Sequence, residues 1–416
     1  MGLMKHILLL LVFTAGLFTG VAAQENQQGT QTRHRFAEMY LGADMRFFPG
    51  AGTHTKIISA EGALKNRELD DYAGNRILIG ATHFWGHADF FVAIPVARFK
   101  EAALSTGVET GGRYFPWKVE KGKLRPWLGI SLASLSYRQG EGTKQTRFTV
   151  PLSSGASYQI RNHLIEISAA MDFGKAQRYY ISRDVTTDVS LHKMSVGLSY
   201  KYLFDVTLSA EKDWQSGRTR LITDTLAARN KLNGFTLAAG PSSAFYLKTS
   251  DHNTSSHPWL GQHKSAKVFP DLAIGYYWHK PDLQLSLAYR PVKSELKAYG
   301  YEQKLHRKSI TLEAYKFIGD YHGFVPFVGP SVSYEHLSLH EKEAQATAYK
   351  KEKEYIRPGI TFGWDIRPNR IQSMLLRTNL RWIPNLNLSM KEGKKISFDQ
   401  LEFNFIQLVV FPGRMF

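Results

Sequence analysis

Apolar and small or polar residues trade places one by one along almost the whole chain, from about residue 35 to residue 411. A period of two puts alternate side chains on opposite faces of a β-strand. Residues 36–48 form the first such run. Met39, Leu41, Ala43, Met45 and Phe47 share one face, while Glu38, Tyr40, Gly42, Asp44 and Arg46 share the other. The division recurs where Ile165, Ile167, Ala169 and Met171 oppose Glu166, Ser168, Ala170 and Asp172. It recurs again where Met194, Val196, Leu198 and Tyr200 oppose Lys193, Ser195, Gly197, Ser199 and Lys201, and where Leu283, Leu285, Leu287 and Tyr289 oppose Gln284, Ser286, Ala288 and Arg290. In water such an apolar face needs a second sheet to cover it; in a bilayer it needs none. The runs are roughly ten residues long, enough to cross a membrane as a tilted strand.

The connections sort into two kinds. Tight links fall at residues 84–87, 161–162, 203–205, 279–282, 319–322 and 367–370. Long polar links lie between them, at residues 50–75, 175–188, 250–267, 295–308 and 338–355. Membrane barrels have tight periplasmic turns and long external loops, whereas a soluble sandwich has no reason to sort its links this way. The expected fold is therefore all-β: one transmembrane antiparallel up-and-down β-barrel of about 18 strands, with about 16 as the alternative. Either even count returns both chain ends to the periplasm. Gly-Pro-Ser occurs at residues 240–242 and 329–331, and its prolines are expected at strand starts, where a missing N–H costs least.

Ahead of the alternation, residues 1–23 read as a secretory signal peptide. Lys5 and His6 open it, an apolar run follows from Ile7, and Val21-Ala22-Ala23 supplies the small residues of a cleavage site. Residues 24–34 are polar and read as a disordered N-terminal stub, leaving residues 35–416 as the barrel. The implied location is the outer membrane of a Gram-negative cell. The chain has no cysteine, which excludes disulfides and thiolate metal sites. Mean hydropathy is −0.29, ordinary where only every second strand residue meets lipid. Net charge is +17. The basic residues are scattered and the chain is exported, so nucleic acid is excluded as a partner. Anionic outer-membrane lipids and lipopolysaccharide are expected instead.

Candidate chemistry rests on the inward parity. Arg46, Arg113, Arg125, Lys193, Lys201, Arg290, Arg377, Arg381, Glu38 and Glu166 are expected to face the lumen. Two readings stay open for them: internal ion pairs that prop the barrel and exclude water, or a charged pore lining that selects solutes. Arg377 and Arg381, four apart on one strand, make the clearest basic ladder and would favour anions if they face open water. His252, His257 and His263 share one loop, but their spacing matches no tight ligand motif, so neither metal nor cofactor is expected. His83 and His87 flank a turn and lack an acidic third ligand. No motif couples Ser and His as a rim-active lipid hydrolase requires, and the chain is not read as an enzyme.

The leader, the alternating strands, the Arg-Tyr-Phe-Pro and Pro-Trp-Leu-Gly wording near residues 113 and 126, and the closing run at residues 401–411 together resemble the outer-membrane β-barrel family, especially barrels of Bacteroidetes-type bacteria. The resemblance implies insertion by the barrel assembly machinery, which reads a terminal aromatic. Phe416 matches in identity, but Pro412, Gly413 and Arg414 break the alternation before it, which moves the signal to Phe411 and its strand. The expected function is a passive, porin-like channel for small polar or anionic solutes. The alternative is a non-conducting structural or adhesive barrel whose long loops bind lipopolysaccharide or a partner.

Overall fold

The computed structural model describes residues 38–415, apart from residues 60, 83–86, 99–103, 118–121, 206–216, 320–323, 345, 368–372 and 391–392. The expected leader at 1–23, the stub at 24–34, His83 and Phe416 lie outside the described residues.

The N-terminal half begins with β1 (Glu38–Phe48), a rim hairpin of β2 (Thr55–Ile58) and β3 (Leu64–Arg67), then β4 (Tyr72–Thr82) and β5 (Ala88–Arg98). It continues through the short β6 (Leu104–Thr106), β7 (Glu109–Tyr114), β8 (Leu124–Tyr137), β9 (Gln145–Thr149) and β10 (Leu152–Ile160). β11 (His163–Met171), a second rim hairpin of β12 (Gln177–Tyr180) and β13 (Thr186–Val189), and β14 (Met194–Asp205) complete it. Antiparallel pairing runs β1-β4-β5-β7-β8-β10-β11-β14 and closes where β14 meets β1, with Gly42 opposite Lys201.

A helix, Gly217–Ala228, leads into the C-terminal half. There follow β15 (Gly234–Tyr246), β16 (Phe269–Trp278), β17 (Leu283–Ala298), β18 (Tyr301–Phe317) and β19 (Phe324–Glu343). β20 (Ala346–Ile366), β21 (Met374–Ile383), a rim hairpin of β22 (Asn387–Ser389) and β23 (Lys395–Ser397), and β24 (Gln400–Val410) end the chain's strands. β15 to β21 and β24 form a second closed barrel, sealed by β15 against β24.

The expected single ring of 18 strands is thus corrected to two rings of eight, side by side in one chain. The alternative count of 16 equals their sum but not their arrangement. Strand length and alternation are the same for one wide ring or two narrow ones; only the pairing partner of each half's first strand separates them. Eight strands enclose a space that side chains can fill.

Two of the expected long links are also strand. Residues 295–308 lie on β17 and β18, which turn at Tyr299-Gly300, and residues 338–355 lie on β19 and β20. Both hairpins rise well past the band of exposed apolar side chains on the outer wall. Their lipid boundary is visible in the register. Tyr289 pairs with Ile310, Ile310 with Tyr334, and Tyr334 with Ile356, and all four are exposed on the outer wall. Directly above them stand Lys308, paired with Pro291 and His336. Above that level the outward face turns polar while Leu305, Leu337 and Leu339 still point inward, so the outward apolar signal stops although the strand does not.

The prolines of the two Gly-Pro-Ser pieces sit inside strands, not at their starts. Pro241 lies where the β15–β24 register shifts between Ala239 and Ser242, and Pro330 lies where β18–β19 pairing skips from Glu313–Ser331 to Lys316–Val328. The register shift at Pro241, and the lapse of two pairs at Pro330 after which the same register resumes, are places where an N–H has no ladder partner, so proline costs little there. Gly329 belongs to the same feature: a Cβ on it would overlap the Ala314 carbonyl oxygen.

The rings touch along their outer walls. Phe403 and Phe405 of β24 pack with Val92 of β5, with Ile94 and Leu380 beside them. Phe90 meets Trp364 at 6.5 Å between ring centres, and Phe148 meets Phe245 at 4.8 Å. At the external end, Arg183 bonds Glu343 at 3.1 Å, its guanidinium lies 4.6 Å from the centre of the Trp259 ring, and Thr143 donates to the Leu260 carbonyl at 2.7 Å.

Candidate functional site

Each interior has a charged belt between two apolar seals. In the first barrel Arg113 joins Asp89 at 2.8 Å and Glu166 at 2.6 Å, and Lys201 donates to the other Glu166 oxygen at 2.9 Å. Arg76 bridges Asp44 and Glu109, and Arg46 lies 3.7 Å from Glu109. Arg125 is buried with its guanidinium 5.0 Å from the Phe115 ring centre. In the second barrel Arg290 reaches Asp271 at 3.1 Å and Glu313 at 2.8 Å, and Arg381 reaches the same two carboxylates at 2.6 and 2.7 Å. Arg307 pairs with Glu335 at 2.6 Å and Glu402 at 2.7 Å, and Arg377 pairs with Asp365 at 2.7 Å.

Strand alternation explains why these residues converge. β16, β17, β18, β21 and β24 each send every second side chain inward, and the small ring diameter brings opposite walls within hydrogen-bonding reach. The four arginines of the second barrel expose 0–1% of their surface. An aqueous channel would wet its lining; these groups are dry.

The seals are apolar. At the tight-turn end of the second barrel Tyr277, Tyr315, Phe317, Val325, Phe327 and Phe411 pack together. At its outer mouth Leu305, Leu337 and Leu339 meet Leu386, Leu388, Ile396 and Phe398 from the β22–β23 region, all at 2% exposure or less. The first barrel has Tyr40, Leu78, Phe91, Leu164 and Leu203 below, and Phe48, Leu69, Tyr72, Leu135, Tyr137 and Tyr179 above.

Of the residues expected to face the lumen, Arg46, Arg113, Arg125, Lys201 and Glu166 enter the first interior, and Arg290, Arg377 and Arg381 the second. Lys193 does not: it precedes β14 and is exposed at the outer rim, because alternation governs a side chain only once the strand has begun. The side chain of Glu38 lies outside the described residues. The basic ladder of Arg377 and Arg381 is neutralised by Asp365, Asp271 and Glu313. Sequence reading missed Arg76, Asp89, Asp271, Arg307, Glu335 and Glu402 as members of these networks. Inward parity marks Arg76, Asp89 and Asp271, but Arg307 falls in a stretch where polar residues occupy both faces.

Above the second barrel, the expected histidine trio divides. His263 turns inward, with Nδ1 2.6 Å from the Ser294 hydroxyl and Nε2 2.9 Å from the Gln303 carbonyl oxygen. Burial pushes its pKa down to about 4. His252 and His257 stay together, ring centres 5.4 Å apart, and meet Glu341 of β19 instead. His87 bonds the Phe115 carbonyl at 2.7 Å across the base of the first barrel.

No protein-family model and no curated protein matches the chain. Among solved structures it is similar to Ail, the attachment invasion locus protein of Yersinia pestis, at 8% identity and TM-score 0.29, covering 43% of this chain and 97% of that one. Neisserial surface protein A gives 18% identity and TM-score 0.28 over 43% of this chain and 97% of its own. An outer-membrane channel from Pseudomonas putida F1 gives 9% identity and TM-score 0.21 over 93% of this chain and 99% of its own.

Proposed function

We propose that this chain is a non-conducting, non-enzymatic protein of a Gram-negative outer membrane, whose joined barrels hold lipopolysaccharide against a basic outer rim. The observation that carries this reading is the dry, ion-paired belt in each barrel, sealed by apolar clusters at both ends. A passive channel for small polar or anionic solutes would require both seals and the belt to part together. Arg377 and Arg381 are bound to carboxylates within the wall and offer no free charge to a passing anion.

The rim supplies a binding surface. The second interior sets Arg290, Arg307, Arg377 and Arg381 against Asp271, Glu313, Glu335, Asp365 and Glu402, so among the described residues its charge nearly cancels. The first interior balances in the same way. The excess of base therefore lies outside the belts. Lys293, Lys304 and Lys308 gather around His306 on the outer wall, immediately above the Tyr289–Ile310 level. Burial and these three lysines hold the His306 pKa below its ordinary value. Phosphate-bearing head groups of the outer leaflet sit at this height and are attracted to clustered Lys. Insertion by the barrel assembly machinery belongs to the same reading.

The test is direct. In planar bilayers the purified protein should give no steady ion current, and Lys293→Glu with Lys308→Glu should weaken its retention of lipopolysaccharide in detergent. Stable current steps whose anion preference falls when Arg377 and Arg381 are neutralised would establish the channel instead.

A further inference from the structure

His252 and His257 sit five residues apart, a spacing that a straight helix would not place on one side. The short helix Asp251–Ser256 ends at His257, whose backbone leaves the helical region (φ −139°, ψ 57°). The chain doubles back there, and the two imidazoles meet edge to face. Glu341 arrives from the top of β19, eighty-four positions further along the chain than His257. One nitrogen of each imidazole and one Glu341 oxygen all lie within 4.8 Å of one another.

We propose that His252, His257 and Glu341 form a binding site for a divalent metal ion of the zinc class, with a fourth position open to water. Two imidazoles and one carboxylate are a donor set suited to this class, and three protein ligands with one open position are a recurrent tetrahedral arrangement. Ligand atoms about 3.3 Å apart surround a tetrahedral zinc ion at its usual bond lengths. His252 Nε2 is already 3.0 Å from Glu341 Oε1, and the His257 nitrogen has to close in from within 4.8 Å of both.

The surroundings support the same assignment. Glu341 is nearly buried and its Oε1 accepts from Gln303 Nε2 at 2.7 Å, while Gln303 is itself fixed by Asn253 and His263. The Tyr301 hydroxyl lies 3.1 Å from His257 Nε2. A carboxylate held by an outer layer of hydrogen bonds is what orients a metal ligand. Both imidazoles remain partly open to solvent, which leaves an ion a way in. Occupancy would tie the 247–268 loop to the β18–β19 wall, next to the Trp259–Arg183–Glu343 contact that joins the two barrels.

The experiment uses the full chain in detergent, without a polyhistidine tag, stripped with a chelator and titrated with zinc chloride by calorimetry. One ion per chain is expected. His252→Ala, His257→Ala and Glu341→Gln should each abolish that binding, and Gln303→Leu, which leaves all three ligands, should weaken it by about tenfold. Heat-modifiable gel mobility checks that each variant is folded. If Glu341→Gln fails to fold, the two loop histidine variants decide. Absence of saturable binding to the native chain, or binding unchanged in the histidine variants, would overturn the site.

Discussion

Arg381 Nη1 reaches across the second barrel to Asp271 Oδ2 at 2.6 Å, joining residues 110 positions apart on opposite sides of the sequence of that ring. The pair is fully dry, so its value lies less in attraction than in the cost of separating it. Removing one partner strands a charge where water cannot reach it.

Arg381→Met should therefore destabilise the second barrel by about 3–5 kcal/mol, because Asp271 and Glu313 each lose a bond. Urea unfolding in detergent, followed by tryptophan fluorescence, measures it. Asp271→Asn added to that variant should recover part of the loss.

Gly329→Ala should cost about 1–3 kcal/mol through forced overlap with the Ala314 carbonyl. Gly413→Ala, where an added Cβ meets nothing nearby, is the matched control in the same unfolding assay.

Acid should loosen the loop around His263. Its folded pKa of about 4 lies below the ordinary 6.5, so the open loop takes up a proton that the closed loop refuses. Closure is at full strength above pH 6.5 and weakens as pH falls towards 4. The loss between pH 7.5 and pH 5 is about 2 kcal/mol. Limited proteolysis across residues 247–268 should accelerate in that window, and His263→Gln should flatten the dependence.

Each ring closes on itself, so each half should fold alone. A chain ending near residue 216 and one starting there should both refold in detergent with heat-modifiable mobility. Failure of both halves, with success of the whole, would show that the outer-wall contact is required for folding.

The contact between the rings can be trapped. The chain lacks cysteine, so Phe90→Cys with Trp364→Cys introduces the only two thiols. A short thiol-to-thiol cross-linker should join them and shift gel mobility, as their ring centres lie 6.5 Å apart. Cysteines at Phe235 and Ile167, both on lipid-facing wall, should join poorly.

Much of the architecture was legible residue by residue. The lipid face of β1 was marked by Leu41, Met45 and Phe47, and its inward face by Tyr40 and Asp44, as the exposures show. Ring closure was not legible, because alternation records which way Gly42 points but not that Lys201 lies opposite it. The stretch of chain between the end of β14 at Asp205 and the start of β15 at Gly234, far longer than the tight links, was the available sign of a break between two units. The upper parts of β18 and β19 look like loop in the sequence because Lys304, His306 and His340 remove the outward apolar face while pairing continues. Glu341 could not be joined to His252 and His257 from spacing, since only the fold of the β18–β19 hairpin brings them together.

The pairing of β14 with β1 carries a consequence for biogenesis. The strand that finishes the first ring is followed by all the strands of the second, so it has no free carboxyl end to present. If an assembly factor selects the last staves of these two cylinders, it would have to recognise an interior stretch of chain in the first, and either release that cylinder before the second is begun or hold both open at once.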